Sequence, residues 1–170
     1  MEREAAAYDE QAVLANQKIQ GAALAGGCPG SMARQIARAE NDCGAIPEQP
    51  SRLTQWPVQI KLAPVRAPYF QKARLLIAAD CSAYAYGNFH ERFIRGHITL
   101  VGCPKLDGVD YAEKLGEILS GNDIQSVTLV RMEVPCCGGL ERAVQTALQR
   151  SGKQLPCQVV TISTDGRILD

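Results

Sequence analysis

No apolar run in this sequence approaches the ~20 residues that a helix needs to cross a bilayer. The opening Met1-Glu2-Arg3-Glu4 also lacks the basic-then-apolar plan of a signal peptide. A membrane partner is therefore not expected, and a cytoplasmic setting is. Charge of neither sign is in excess, with 18 Lys+Arg against 18 Asp+Glu, so nothing draws the chain to nucleic acid. Aromatic residues make up only 5%, with one Trp, too few for a platform on which single-stranded bases would stack. Also missing are a G-x-G-x-x-G after a strand, a Walker-type phosphate loop and a G-x-S-x-G nucleophile elbow. No C-x-x-C occurs, which argues against a thioredoxin-type dithiol and an ordinary zinc ribbon.

Cysteine is plentiful. Seven are present, an odd number, and a reducing cytosol disfavours reading them as structural disulfides. Metal ligation or redox chemistry is the better general expectation. The 46% hydrophobic and 21% charged content over 170 residues supports a globular chain with a real core.

The pattern along the chain divides near residue 51. Residues 3–20 are Ala-rich and free of Gly and Pro, and predict a helix. Gly26-Gly27-Cys28-Pro29-Gly30-Ser31 predicts a tight turn, and Met32–Glu40 a second helix begun by Pro29. Asn41–Ser51, with Gly44, Pro47 and Pro50, reads as a loop or linker. Residues 1–51 thus read as a helical arm and linker, and 52–170 as the main domain.

In that domain Val58–Leu62 alternates like a strand, and apolar runs end at Cys81, at Cys103 and before Cys136-Cys137. Helices are expected over Ala83–Arg95, Val109–Ser120 and Leu140–Arg150, with a last strand over Val159–Ile162. Strands alternating with helices imply right-handed crossovers and a mostly parallel sheet. The expected architecture is a flavodoxin-like or Rossmann-like three-layer α/β domain.

In such a sheet the carboxyl ends of the strands gather along one rim, where ligands bind. Cys81, Cys103, Cys136 and Cys137 would meet there, and Cys28 in its glycine turn could fold over them. Helices starting beside these residues are expected to favour thiolates. Soft thiolates select iron–sulfur clusters, zinc or Cu(I), and nearby Gly102, Gly138 and Gly139 offer amides to a cluster's sulfides. Cys43 and Cys157 read as structural, Cys157 because it precedes its strand. His90 is a minor ligand candidate, His97 a structural residue, and Asp80 and Asp107 helix caps or cation ligands.

Six segments together resemble a known family: Gly26-Gly27-Cys28-Pro29-Gly30-Ser31, Gln55-Trp56-Pro57-Val58-Gln59, Ala78-Ala79-Asp80-Cys81, Gly87-Asn88-Phe89-His90, Val101-Gly102-Cys103-Pro104-Lys105-Leu106-Asp107 and Met132-Glu133-Val134-Pro135-Cys136-Cys137-Gly138-Gly139. In this order they resemble the C-terminal domain of anaerobe 4Fe-4S ferredoxin-type, or iron–sulfur cluster-binding, proteins. Members of that family usually begin with a two-cluster ferredoxin domain, and this sequence contains no such cysteine run. The resemblance implies an iron–sulfur cluster of [4Fe-4S] type held by cysteines drawn from Cys28, Cys81, Cys103, Cys136 and Cys137. It implies an electron-transfer module of an oxidoreductase system, working with a ferredoxin domain or a separate ferredoxin-type partner. A cysteine- or cluster-dependent reductase of a small substrate and a structural zinc module are the alternatives. Assembly of the chain with itself is left open.

Overall fold

The computed structural model describes residues 36, 38 and 47–169. Two compact units divide the chain, Met1–Gln35 and Ile36–Asp170, and every described residue belongs to the second. The helix expected over 3–20, most of that over 32–40, the turn carrying Cys28, and Cys43 lie outside the described residues.

Four parallel strands form one sheet in the order β2-β1-β3-β4: β1 is Ala73–Ala79, β2 Ile98–Gly102, β3 Ile124–Met132 and β4 Cys157–Ile162. β1 is the central element. Leu75, Leu76, Ile77 and Ala78 are all fully buried, as a strand covered on both faces must be. It pairs with β2 from Leu75–Ile98 to Ala79–Gly102, and with β3 from Ala73–Ile124 to Ala78–Val130. β3 pairs with β4 from Val127–Cys157 to Met132–Ile162.

The chain steps from β1 to β2 on one side, then returns past β1 to β3. The carboxyl ends of β1 and β3 therefore bound a topological switch point, where open α/β sheets place their ligands. The connection after β1 holds α1 (Ser82–Ala85) and a π-helical turn, His90–Ile94. That after β2 holds α2 (Pro104–Asp107) and α3 (Ala112–Gly121), and that after β3 holds α4 (Gly138–Ser151). α3 and α4 pack against each other. Leu115, Ile118 and Leu119 of the first, and Leu140, Val144 and Ala147 of the second, form their buried stripes. Lys153 closes the end of α3, its Nζ donating to the carbonyls of Leu119 (2.9 Å) and Asn122 (2.6 Å).

Three expected elements differ. The strand over Val58–Leu62 is a single parallel bridge, Gln59 to Val101, followed by a turn in which the Gln59 carbonyl accepts from both Leu62 and Ala63. Ile60 and Ala63 are the buried positions, a turn-like spacing of three, while Leu62 is 70% exposed. The helix over 83–95 breaks at Tyr86-Gly87, where the backbone turns extended, and resumes only as the π-helical turn. The helix expected from Val109 begins at Ala112, because the left-handed Gly108 ends α2 and Asp110 Oδ1 accepts from the Ala112 N–H at 2.9 Å.

The outer edge of β2 is sealed rather than open. Gln55 is buried and clamps Thr99, donating to its carbonyl and accepting from its N–H at 3.2 Å. Val58 and Ile60 then bond to both sides of Val101. An unpaired edge would otherwise invite another chain.

Candidate functional site at the carboxyl rim

β1 runs through Ala79 to Asp80 and Cys81. The Asp80 N–H donates to the Gly102 carbonyl at 3.2 Å, which ties the end of β1 to the end of β2. Cys81 and Cys103 therefore leave neighbouring strands side by side, about 4.8 Å being the distance between paired strands. Cys81 opens α1, and Ser82, fully buried, locks that turn with its hydroxyl donating to the Ala79 carbonyl at 2.6 Å.

Cys103 is the extended residue between β2 and α2, with Pro104 as the first helical residue and the Asp107 N–H donating to the Cys103 carbonyl at 2.9 Å. Cys136 and Cys137 lie in the 3-10 turn Pro135–Cys137, and Cys137 leads directly into α4. Pro104 rests on Gly139: a Cβ there would stand 3.2 Å from the Pro104 Cβ. That close approach draws the loop after β2 against the loop after β3. Gly139 is thus small for packing.

Gly102 is small for the same kind of reason, since the ring of Tyr111 covers it. Tyr111 is 2% exposed, and its hydroxyl donates to Asp107 Oδ2. Burial first, and then the Asp107 carboxylate, push its ionisation well above the ordinary tyrosine range. It fixes the floor beneath Cys103. Tyr111 was not among the sequence-derived site residues, and Gly102 was the only signal that could have pointed to it.

The fold thus brings Cys103 and Cys136 within electrostatic reach of both Cys81 and Cys137. The ionisation of Cys81 is raised by burial first, and further by Cys103, Asp80 and Cys136. Cys137 is 7% exposed and is pushed up to about 11, again by burial first, with Cys136 and Cys103 adding to it and Arg131 opposing. For Cys81 and Cys137 this corrects the expectation that the adjacent helix holds the sulfur as a thiolate. α1 is only four residues long, too short for much dipole, and at Cys137 the loss of water outweighs the start of α4. Cys81 is exposed, and Cys103 and Cys136 are half-exposed.

Positive charge stands nearby. Arg131 pairs with Glu141 of α4, and a Cβ on Gly138 would meet only Arg142 Nη1, at 3.6 Å. Among the described residues, no group of three or more His, Cys, Asp and Glu side chains closes on a single metal ion.

The other sequence candidates fall elsewhere. Cys157 begins β4 at the opposite rim, as its position before the strand implied. His90 is exposed, and its Nδ1 accepts from the Arg52 N–H at 3.1 Å, which fastens the start of the domain to the π-helical turn. Asp80 and Asp107 cap no helix: the first bonds to Gln59 and the second receives the Tyr111 hydroxyl. Cys28 lies outside the described residues, as does Cys43. No helix among the described residues is long and apolar enough to cross a membrane.

Residues 67–170 match the Rossmann-like domain family. The chain is also similar to an uncharacterized protein of Archaeoglobus fulgidus, with 31% identity over 115 residues, 67% of this chain and 81% of the relative. No solved structure matches it. The matched region holds the whole four-stranded sheet and its thiol rim, and the chain belongs to the Rossmann-like domain family.

Proposed function

We propose that this domain binds an iron–sulfur cluster of [4Fe-4S] type at the carboxyl rim and serves in electron transfer. The observation that carries the reading is the placement of four thiols after three neighbouring strand ends, with Cys103 and Cys136 both close enough to Cys81 and to Cys137 for their charges to be felt there. The resemblance of six segments to the C-terminal domain of anaerobe ferredoxin-type iron–sulfur proteins supports the same reading.

The residues present suit such a group. Thiolates are the usual cluster ligands, and an anionic cluster is favoured by the start of the 14-residue α4 and by Arg131 and Arg142 beside it. Cys81, Cys103 and Cys136 would be the accessible ligands, with Cys137 as the fourth. When bound, the cluster would supply a one-electron redox centre. The chain's own part is to hold the sulfurs, to shield one side with Tyr111 and Cys137, and to leave Cys81 at the surface for an electron partner, a ferredoxin domain or a separate ferredoxin-type protein.

The test is anaerobic reconstitution with iron and sulfide, then reduction by a low-potential ferredoxin followed by electron paramagnetic resonance. A cluster signal that appears on reduction and is lost in Cys103→Ser supports the proposal. A protein that stays colourless and silent refutes it.

A further inference from the structure

On the β2 side of the carboxyl rim, a cavity of about 390 Å³ opens beside α1. None of the four rim cysteines lines it. It follows from the break in the connection after β1. α1 stops after one turn, at Ala85, and a helical turn resumes only at His90, so no continuous helix lies across the ends of β1 and β2. Ala79, at the end of β1, is too small to fill the space that is left. The rest of the lining is largely apolar: Val58, Val101, and the ring of Phe89, which is only 3% exposed. Tyr84 borders the same cavity yet is 94% exposed, so its ring stands almost wholly in solvent.

The chemistry of the ligand follows from the charge on this lining. Asp80 is its one carboxylate, and no Lys, Arg or His stands among the described residues that form it. Gln59, also in the lining, donates a hydrogen bond to Asp80 but brings no charge. Asp80 enters no salt bridge among the described residues, and Asp107 adds its own negative charge nearby. A carboxylate beside apolar surface and without a counter-charge favours a cation over a neutral or anionic guest. Two aromatic rings in the lining, Phe89 and Tyr84, favour the same sign of charge. The volume lies at the small end of ligand sites.

We propose that this cavity binds a small organic ammonium ion, an apolar body carrying one protonated primary amine that meets Asp80.

The experiment is isothermal titration of the full chain with benzylamine, benzyl alcohol and benzoate at neutral pH and fixed ionic strength. The three share one ring and differ in charge. Saturable benzylamine binding is expected, with benzyl alcohol weaker by about tenfold or more, the worth of one charge-assisted hydrogen bond, and benzoate weaker still. Asp80→Asn keeps the shape and removes the charge, and should abolish the preference for benzylamine over benzyl alcohol. Ala83→Leu fills the cavity from α1, at a residue whose side chain is exposed. It should weaken benzylamine and benzyl alcohol alike and leave the melting temperature unchanged. Benzylamine that does not saturate, benzyl alcohol or benzoate that binds as tightly, or an Asp80→Asn protein that keeps the preference would overturn the proposal. Unchanged benzylamine affinity in Ala83→Leu would place the binding outside this cavity and overturn it too.

Discussion

The hydroxyl of Tyr111 lies 2.7 Å from where a Cβ on Gly102 would stand, and its Cζ lies 2.8 Å away. Residue 102 is the last of β2 and immediately precedes Cys103, so this contact sets where the sulfur of Cys103 sits. Because Ile60 Cδ1 closes the same space at 3.1 Å, the ring has little freedom to move aside.

Gly102→Ala should therefore destabilise the domain by about 1–3 kcal/mol, the usual cost of overpacking a well-filled site. Tyr111→Phe should not relieve it, since the ring carbon is as close as the hydroxyl. Tyr111→Leu should do so in part, making the double variant less damaged than the sum of the singles. Urea denaturation of wild type, the three single variants and the two double variants reads this, and strict additivity of Gly102→Ala with Tyr111→Leu would contradict the contact.

A second expectation concerns alkali. The fold favours the neutral thiol of Cys137, whose ionisation is pushed up to about 11. An unfolded thiol titrates near pH 8.5. The stability gained from this preference is complete below that unfolded value and is lost as pH rises through 11. In metal-free protein the unfolding free energy should fall by about 1–3 kcal/mol more in wild type than in Cys137→Ala between about pH 8.5 and 11. Parallel pH profiles for the two proteins would show that Cys137 is not held neutral by burial.

Gln55 offers a third test. Its amide makes both hydrogen bonds that a neighbouring strand would make to Thr99. Gln55→Ala should cost about 1–3 kcal/mol by leaving a buried backbone donor and acceptor unmatched. Amide exchange at Thr99 should speed up more than at Leu100. An unchanged Thr99 rate would show that the clamp does not form in solution.

Much of this was legible in the sequence, for identifiable reasons. The unbroken run Leu75–Ala79 announced a strand covered on both faces, and the spacing of Leu140, Val144 and Ala147 announced α4. The positions of Cys81, Cys103, Cys136 and Cys137 at strand ends followed from those elements alone. What misled was local. Val58-Gln59-Ile60-Lys61-Leu62 alternates as a strand does, yet the Gln59 carbonyl closes a turn after one bridge. The Tyr86-Gly87 break was hidden in a segment otherwise apolar enough for a helix. The ionisation of Cys137 could not be read from its place before α4, because its 7% exposure depends on tertiary packing.

Metal and sulfide analysis of anaerobically purified protein decides whether the thiol rim holds the proposed iron–sulfur cluster. Wild type should contain about four iron and four acid-labile sulfide per chain, and the Cys81→Ser/Cys103→Ser variant close to none. Zinc without sulfide in wild type, or no metal in either protein, would contradict the account.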